Sequence, residues 1–378
     1  MSATVVRRLA LLVGASLKRI YPRSQSAWAR AMRCEIDQIA DDKAALKFAL
    51  GCLAGGLRAA AGELIPSSNK GATTMHWELG RPRSAGVACA LVATCLGLFY
   101  LAAAGAPARY LVVNAVAFLL GIVALGGICQ SGLPARRSAS PLILVLAILL
   151  LATSLFGASA DGAARWVRVG PLSIQVSLIV LPLMIVSFAR RPDALGLGGI
   201  AVAAAALAIQ PDRAMSGVLA LSLAVLAASW PRALPIAALL AAIAAFLVAL
   251  VRPDAGQAVP YVDRILFTSF EVHAAAGAAV LLGSALLAIP AFVGWRSDPG
   301  SGHAWLAFGA AWLGCVLAAG LGNYPTPVVG YGGSAILGYF LSLAFLPAAA
   351  AETEGEGERA ADDRPDRARR LSRHALRV

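Results

Sequence analysis

Long apolar runs separated by short polar stretches occupy the chain from residue 85 to residue 350. Most of these runs hold roughly 17 to 23 mostly uncharged residues, enough for a helix rising 1.5 Å per residue to cross a hydrocarbon core of about 30 Å. Several middle runs are short and rich in alanine and glycine, which favours close helix–helix packing over contact with lipid. The pattern therefore predicts ten transmembrane helices, at approximately Ala85 to Ala106, Tyr110 to Cys129, Pro141 to Phe156, Ser173 to Phe188, Leu195 to Ile209, Met215 to Trp230, Ala233 to Val251, Val272 to Val293, Ala304 to Leu321 and Gly332 to Ala350.

Polar segments flank this apolar region on both sides. In residues 1 to 84, Val5 to Ile20 and Ala27 to Ala40 have helical spacing with their charges on one side, and Asp41-Asp42 predicts the start of a third helix, followed by a linker. Such basic amphipathic helices lie on an anionic cytoplasmic leaflet or pack as a small helical hairpin, and the pattern favours neither. Residues 351 to 378 carry an acidic and then a basic block with few apolar residues, which predicts a disordered tail.

Composition supports the same interpretation. The 378 residues are 59% hydrophobic and 14% charged, with a mean hydropathy of +0.74, whereas an average soluble domain is about 25% charged. The predicted fold class is an all-α polytopic membrane protein. Its predicted parts are a cytoplasmic helical region with a linker (1–84), a ten-helix transmembrane domain (85–350) and a charged cytoplasmic tail (351–378).

The net charge of +12 does not indicate a nucleic-acid partner, because the cations are concentrated at the two ends of the chain. Of the 32 Lys and Arg residues, 13 precede residue 85 and 7 follow residue 350. By the positive-inside rule this predicts that both termini are cytoplasmic. The other twelve cations are arginines in the loops, and six of them lie on the opposite, outer face. This suggests an anionic ligand there. No nucleic acid is expected to bind.

The sequence contains neither a disulfide framework nor a metal-ligand pattern. The six cysteines lie in the amino-terminal segment or inside apolar runs, with no Cys-x-x-Cys pair and no histidine at ligand spacing. A Walker A motif, a Rossmann glycine pattern, a His-Glu-x-x-His motif and a nucleophile elbow are also absent. Soluble nucleotide-dependent and zinc-dependent enzymes are therefore disfavoured.

Candidate chemistry is concentrated in a polar interruption, from Arg252 to Glu271, between two long apolar runs. It places charged side chains at the edge of the membrane. A charged side chain at the centre of a transmembrane helix costs roughly 2.5 to 3.5 kcal/mol, so charge next to hydrocarbon is unfavourable. Such residues need water, a partner or a function. We expect Asp263 to be the residue of this stretch that takes part in chemistry.

Three other polar segments follow apolar runs on the predicted outer face. Arg165, Trp166 and Arg168 offer guanidinium donors for an oxyanion, or an aromatic anchor with arginines reaching lipid phosphates, and both interpretations remain open. Gln210 and Asp212 flank a proline that breaks a helix, so they shape a cavity or form a turn. The stretch 322–335 contains two prolines and three closely spaced glycines, which predicts an irregular, re-entrant wall of the outer cavity.

Together these segments resemble the SEDS family, the shape, elongation, division and sporulation proteins of the RodA and FtsW type. The motifs that carry the resemblance occur in the family's order over roughly residues 85 to 350. Asp161-Gly-Ala-Ala-Arg-Trp-Val-Arg-Val-Gly with Ile174-Gln175 resembles Gly-x-Arg-Arg-Trp-Ile-x-Leu-Gly and Gln-Pro-Ser-Glu, Gln210-Pro211-Asp212 resembles Gln-Pro-Asp-x-Gly-Thr, and Pro327-Val-Val-Gly-Tyr-Gly-Gly-Ser resembles Pro-Phe-x-Ser-Tyr-Gly-Gly-Ser. Each motif alone is weak, but together and in order they are specific.

The resemblance implies a peptidoglycan glycosyltransferase that polymerises glycan strands from lipid II, or another polyprenyl-pyrophosphate glycan, in the bacterial cytoplasmic membrane. It implies Asp263 as the catalytic residue and a single-pass transpeptidase and other division or elongation proteins as partners. The sequence demonstrates no cofactor, although a divalent cation beside the pyrophosphate fits this chemistry. The substrate-binding residues implied are Arg165, Trp166, Arg168, Gln210, Asp212, Arg252, Glu271, Tyr331 and Ser334.

Departures from the family pattern keep a second function open. Leu178 and Leu181 stand where the family has a glutamate and a lysine, and Arg264 replaces an aromatic residue. The loop before Asp263 is also shorter than usual in the family. These differences favour a non-catalytic SEDS-like scaffold of the division or elongation machinery. A lipid flippase or transporter is disfavoured, because the apolar runs hold almost no ionisable residues.

Overall fold

The computed structural model describes residues 5–20, 26–49, 51, 52, 55, 82–131, 139–160, 163–170, 172–252, 258–297 and 300–347. The chain divides into two compact units, Met1–Trp77 and Glu78–Val378. The predicted linker, the predicted tail and the far end of the third amino-terminal helix lie outside the described residues.

The amino-terminal unit has a small apolar core of its own. Helices α1 (Val5–Ile20) and α2 (Ser26–Gln38) are followed by helical residues 42–49. The first of the two predicted capping aspartates starts the third segment, since the Asp41 carboxylate accepts a hydrogen bond from the Ala44 N–H at 2.9 Å. The buried core residues are Ala10, Leu17, Ala29, Ile36, Ala45, Ala49 and Cys52.

We expect a chain lacking residues 2–80 to insert into the membrane and fold, because the core of each unit is formed by that unit's own residues. The measurement is the elution profile and thermal unfolding of the truncated protein in detergent, compared with the full chain. A chain lacking residues 2–92, which loses half of the first apolar helix, is the matched control and should fail. If both truncations fail alike, the amino-terminal unit is needed for folding.

The second unit is built of apolar helices that follow the predicted runs. In chain order they are α3 (Pro82–Ala103), α4 (Ala108–Gln130), α5 (Ser140–Phe156), α6 (Val176–Arg190), α7 (Ala194–Ile209), α8 (Arg213–Ser229), α9 (Ala233–Val251), α10 (Ile265–Val272), α11 (Ala274–Leu286), α12 (Ile289–Ser297), α13 (Gly302–Leu321) and α14 (Gly333–Ala344). By length and composition α3, α4, α9, the pair α11–α12 and α13 are each able to cross a membrane, and α5, α6, α7, α8 and α14 are shorter apolar helices. The predicted all-α polytopic fold is confirmed.

The structure differs from the prediction at two places. A three-stranded antiparallel sheet of β1 (Ala158–Ala160), β2 (Ala163–Val169) and β3 (Leu172–Gln175) occupies the segment between α5 and α6. In addition, the eighth predicted run begins inside α10, because His273 is extended and interrupts the helix. Its Nδ1 accepts a hydrogen bond from the Ala275 N–H at 3.0 Å and so caps α11.

Helix α6 lies at the centre of the bundle. Every residue from Val180 to Ala189 is buried, whereas α4, α5 and α9 expose large apolar side chains such as Val123 and Leu240 on the outer surface. Helix α14 packs directly on the start of α6. At Gly338 an added Cβ would lie 2.1 Å from the Leu178 carbonyl oxygen, so this close approach requires glycine.

Candidate functional site

Asp263 lies where two loops meet at one end of the helix bundle, which we call the Asp263 end. The loop before α10 meets the loop between α13 and α14. A single antiparallel bridge pairs Asp263 with Pro325, and the Thr326 N–H donates to the Val262 carbonyl at 3.0 Å. The position of Asp263 is therefore set by both loops, although they are distant in sequence.

Left-handed backbone conformations surround this meeting point. Tyr261, Arg264 and Val328 have φ angles of 65°, 58° and 67°. Positive φ is uncommon for residues other than glycine, and for a β-branched valine it is an outlier. Each such residue costs on the order of 1–3 kcal/mol, and backbone strain of this kind clusters at active sites and ligand clamps. The two loops thus have the conformational signature of a functional site.

Asp263 is buried at this meeting point. The residue is 8% exposed, and its Oδ2 accepts a hydrogen bond from the Val259 N–H at 2.8 Å. Burial raises the pKa of Asp263 above its ordinary value, while the Val259 N–H and the positive charge of Arg165 oppose the rise. A carboxylate with a raised pKa is a stronger base, which suits proton abstraction from a hydroxyl.

Arg165 reaches the same place from the sheet. The pairing of β1 with β2 shifts register, from Ala158 opposite Trp166 to Ser159 opposite Ala164, and this leaves Arg165 as the extra residue of a bulge. Bulges re-aim side chains and are over-represented next to active sites. The Arg165 guanidinium donates to the carbonyl of Pro211 at 2.9 Å, and its charge acts on Asp263.

An aromatic ring completes the surroundings of Arg165. The guanidinium carbon lies 5.9 Å from the centroid of the Tyr324 ring, within the range of a cation–π contact. Tyr324 comes directly before Pro325, the bridge partner of Asp263. Arg165 of the sheet and the loop of Asp263 are thus brought together around Tyr324, a residue that the sequence analysis did not identify as a candidate.

The other two residues of the predicted arginine and tryptophan motif lie further along β2. Trp166 pairs with Gln175 of β3 and is half-buried, and its indole N–H makes no hydrogen bond to any described residue. A buried unsatisfied donor of this kind costs about 1–3 kcal/mol and calls for an explanation. Arg168 is exposed, and its side chain forms no hydrogen bond within the part of the chain that the structure describes. The structure therefore brings Arg165, but not Arg168, to Asp263.

Gln210 and Asp212 are both buried at the break between α7 and α8. Asp212 is the amino-terminal cap of α8, where its Oδ1 accepts from the Met215 N–H at 3.1 Å. The Ser177 hydroxyl donates to Asp212 Oδ2 at 3.4 Å. Gln210 donates to the Leu150 carbonyl at 3.4 Å, and its own Oε1 is buried without a partner among the described residues. Both side chains therefore make local contacts at the helix break, and their role in binding a substrate stays a prediction.

Two further predicted binding residues, Arg252 and Glu271, are exposed. Arg252 is exposed, and its Nη1 donates to the carbonyls of Ala208 and Ile209 at 2.8 and 3.1 Å, so it caps the carboxyl end of α7. Glu271 is exposed in the last turn of α10, roughly 10 Å along the helix axis from its start. The charge pattern identified both residues as polar but could not specify these positions.

The two residues taken from the last motif are structural connectors. The Tyr331 N–H donates to the Tyr261 carbonyl at 2.8 Å, and its ring stacks on Tyr110 with centroids 3.7 Å apart. The Ser334 hydroxyl accepts a hydrogen bond from the Gln175 N–H at 3.1 Å, which joins α14 to the end of β3. Both residues hold the loop between α13 and α14 in place beside the site.

Asn114 on α4 was missed by the sequence analysis. It is fully buried; its amide nitrogen donates to the Gly330 carbonyl at 2.8 Å, and its amide oxygen accepts from the Gly332 N–H at 3.1 Å. One side chain thus satisfies two backbone groups of the loop that faces Asp263. The available indication was a single amide inside an otherwise apolar run.

The positions that depart from the family pattern are part of the core. Leu178 and Leu181 are 5% and 0% exposed on α6. Within the described ranges, no group of three or more His, Cys, Asp or Glu side chains could hold a metal ion.

Comparisons with known proteins find the fold but no sequence relative. No family model matches the chain, and no curated protein matches it. The solved structure of the rod shape determining protein RodA of Thermus thermophilus is similar, with a TM-score of 0.53 and 22% identity over 72% of this chain and 96% of that one. An aspartate-to-alanine mutant of the same protein matches with a TM-score of 0.51 and 21% identity, over 72% and 97%. The chain therefore has a RodA-like polytopic membrane fold.

Proposed function

We propose that this protein is a membrane glycosyltransferase that polymerises peptidoglycan glycan strands from lipid II, or from another polyprenyl-pyrophosphate glycan. The observation that carries the proposal is the buried Asp263 carboxylate, held between two strained loops beside the positive charge of Arg165. Catalytic carboxylates in glycosyl transfer need a raised pKa and a nearby cation for the departing group. The RodA-like fold supports the same chemistry.

In the proposed reaction an acceptor sugar hydroxyl attacks the anomeric carbon of the donor. The new glycosidic bond forms as the bond from that carbon to the polyprenyl pyrophosphate breaks, and the pyrophosphate leaves with the electron pair. Asp263 accepts the proton of the attacking hydroxyl, which requires a distance of roughly 3 Å between the two oxygens. Arg165 stabilises the charge that develops on the leaving pyrophosphate.

The setting of the protein follows from the same proposal. It places the chain in the bacterial cytoplasmic membrane with both termini in the cytoplasm, and it places the reaction on the outer face. A single-pass transpeptidase and other division or elongation proteins are the proposed partners. The direct test is an assay of the purified full-length chain with lipid II, read as glycan polymer on a gel. If the protein binds lipid II but never extends it into polymer, the proposal of an enzyme is contradicted.

A non-catalytic scaffold of the division or elongation machinery is the second candidate. Leu178 and Leu181 favour it, because both are packed in the core of α6 at positions where the family pattern has a glutamate and a lysine. The loss of two ionisable groups removes contacts that a substrate would need. In that case the loops around Asp263 bind partner proteins, and the polymerisation assay remains negative under all conditions.

Arg165→Ala should weaken lipid II binding by about 1.5 to 3 kcal/mol, because a charge-assisted hydrogen bond to the pyrophosphate is lost. Arg165→Lys should restore only part of the affinity, since an ammonium cannot reproduce the fork of a guanidinium. Binding is measured with lipid II titrated into the detergent-solubilised protein. Arg168→Ala on the same strand is the comparison: a loss confined to Arg165 assigns the pyrophosphate to that arginine. Unchanged binding in both variants would instead support arginines that reach the phosphates of surrounding lipids.

A further inference from the structure

A groove separate from the Asp263 carboxylate runs down the side of the bundle between α8, α9 and α13. Its volume is about 610 Å³, within the range of roughly 300–1,000 Å³ that is typical of small-ligand sites. It extends along α13 from Leu321 to Gly314, roughly 10 Å along the helix axis. Gly217 and Gly314 line it on facing helices, and a Cβ added there would lie 3.1 Å from the Phe246 ring or 3.3 Å from the Val218 side chain, so the helices approach closely at these two points.

Among the residues that the structure describes, those at the polar end of the groove carry positive charge only. Arg213 and Arg264 line it at the Asp263 end, together with Asn323 and Tyr324, and no acidic residue is among the lining residues. The Arg213 guanidinium donates to the carbonyls of Ala249 and Arg252 and is thereby fixed at the groove mouth. The Arg264 side chain is exposed and forms no hydrogen bond or ion pair to any residue that the structure describes, so its guanidinium is accessible to an anion at the groove mouth.

The remainder of the groove is apolar. Below the arginines its walls are formed by Val218 and Leu221 of α8, Phe246 of α9 and Leu317 of α13. Leu317 and Leu250 are 48% and 44% exposed, so this wall continues onto the lipid-facing surface of the bundle. An apolar groove that opens on the flank of a membrane bundle is in contact with bilayer lipid.

We propose that this groove binds one anionic phospholipid of the surrounding bilayer. Its phosphate lies against Arg264 and Arg213, and one acyl chain lies between Phe246 and Leu317. Charge complementarity selects an anionic headgroup over a zwitterionic one, because each arginine near a lipid phosphate contributes about 1 kcal/mol of attraction to net negative charge. Phe246 packs against Gly217, so the apolar part of the groove is bounded there by the contact between α8 and α9.

Arg264 connects this lipid to the Asp263 loop. It directly follows Asp263 and adopts a left-handed backbone conformation, with a φ angle of 58°. Tyr324, which also lines the groove, contacts Arg165. The bound lipid therefore stabilises the conformation of the loop, whatever reaction or partner the site serves.

The test is native mass spectrometry of the full-length protein released from micelles doped with phosphatidylglycerol or phosphatidylcholine. Wild-type protein should retain phosphatidylglycerol in preference, and Arg264→Gln should lower its apparent affinity about fivefold, while Arg264→Lys should retain most of it. Arg109→Gln, an exposed arginine outside the groove, is the matched control and should bind like wild type. Ala318→Phe fills the groove and should lower retention, whereas Ala205→Phe on the exposed face of α7 should not.

Equal retention of the two lipids by the wild-type protein would overturn the proposal. Equal losses in Arg264→Gln and Arg109→Gln would also overturn it, since binding would then follow net charge and not the groove. A polyprenyl phosphate that displaces phosphatidylglycerol at a tenfold lower concentration would reassign the groove to the lipid of a substrate. Because none of these readouts measures polymerisation, the result does not depend on the proposed function.

Discussion

Asp263→Asn should lower the turnover of glycan polymerisation by about 10²- to 10⁴-fold, while membrane insertion and lipid II binding stay nearly unchanged. Asparagine keeps the size of the side chain and still accepts the Val259 N–H, but it cannot take a proton from the attacking hydroxyl. Single-turnover assays with saturating lipid II separate this chemical step from binding. Wild-type polymerisation by the variant would remove Asp263 from the reaction.

Stability distinguishes a catalytic Asp263 from a structural one. Burial raises the pKa of Asp263 above its value in the unfolded chain. The protonated carboxyl therefore stabilises the fold most at a pH below the ordinary pKa of an aspartate, and this contribution is lost as the pH rises through the folded-state pKa. At neutral pH the variant with asparagine should therefore unfold at the same temperature as wild type or higher. Glu271→Gln, an exposed carboxylate in the same region, is the matched comparison and should leave stability unaltered. A marked loss of stability in Asp263→Asn alone would indicate a structural role.

The pH dependence of the rate should follow from the same shift. The base acts only when it is deprotonated, so activity should fall as pH decreases through the raised pKa of Asp263, above the ordinary range of an aspartate. Arg165→Ala should move the acidic limb of the pH–rate profile to higher pH, because it removes the positive charge that opposes the rise in the pKa of Asp263. An unchanged limb in that variant would mean that another group titrates.

The helices of the membrane unit could be predicted because the length of an apolar run depends only on neighbouring residues in the sequence. The sheet between α5 and α6 could not, since its strands are short and hold alanine and arginine as well as β-branched residues. The sequence Arg-Trp-Val-Arg-Val in β2 has β-propensity, but the pattern was dominated by its charges. The interruption at His273 was missed because one polar residue does not end an apolar run.

The candidate site was predictable in part. Asp263 stood out because charge next to a long apolar run is costly. Its neighbours could not be derived in this way, because Arg165 and Tyr324 approach it through contacts between residues far apart in sequence. Arg252 had the same local indication as Arg165 but binds the carbonyls at the end of α7. A charge pattern identifies candidates, and only the fold decides which of them meet.

Asn114→Leu should lower the free energy of unfolding by about 2–4 kcal/mol, because the Gly330 carbonyl and the Gly332 N–H lose their partner in a largely buried loop. The same change should lower polymerisation by about 10²-fold, since the loop that pairs with the Asp263 segment is no longer fixed and small displacements at a reacting group are costly. Stability is measured by denaturant titration in detergent micelles, and activity with lipid II.

Thr94→Val is the matched control for Asn114→Leu. Thr94 is a buried polar residue on the adjacent helix α3, and its hydroxyl has no hydrogen-bond partner among the described residues. Removing that hydroxyl leaves no protein group unsatisfied, so the substitution should be neutral or slightly stabilising. Equal effects of the two substitutions would mean that Asn114 does not hold the loop. If Asn114→Leu loses stability and the wild-type protein shows no polymerisation, the loop is a structural element of a scaffold, and the conformation around Asp263 serves the binding of a partner.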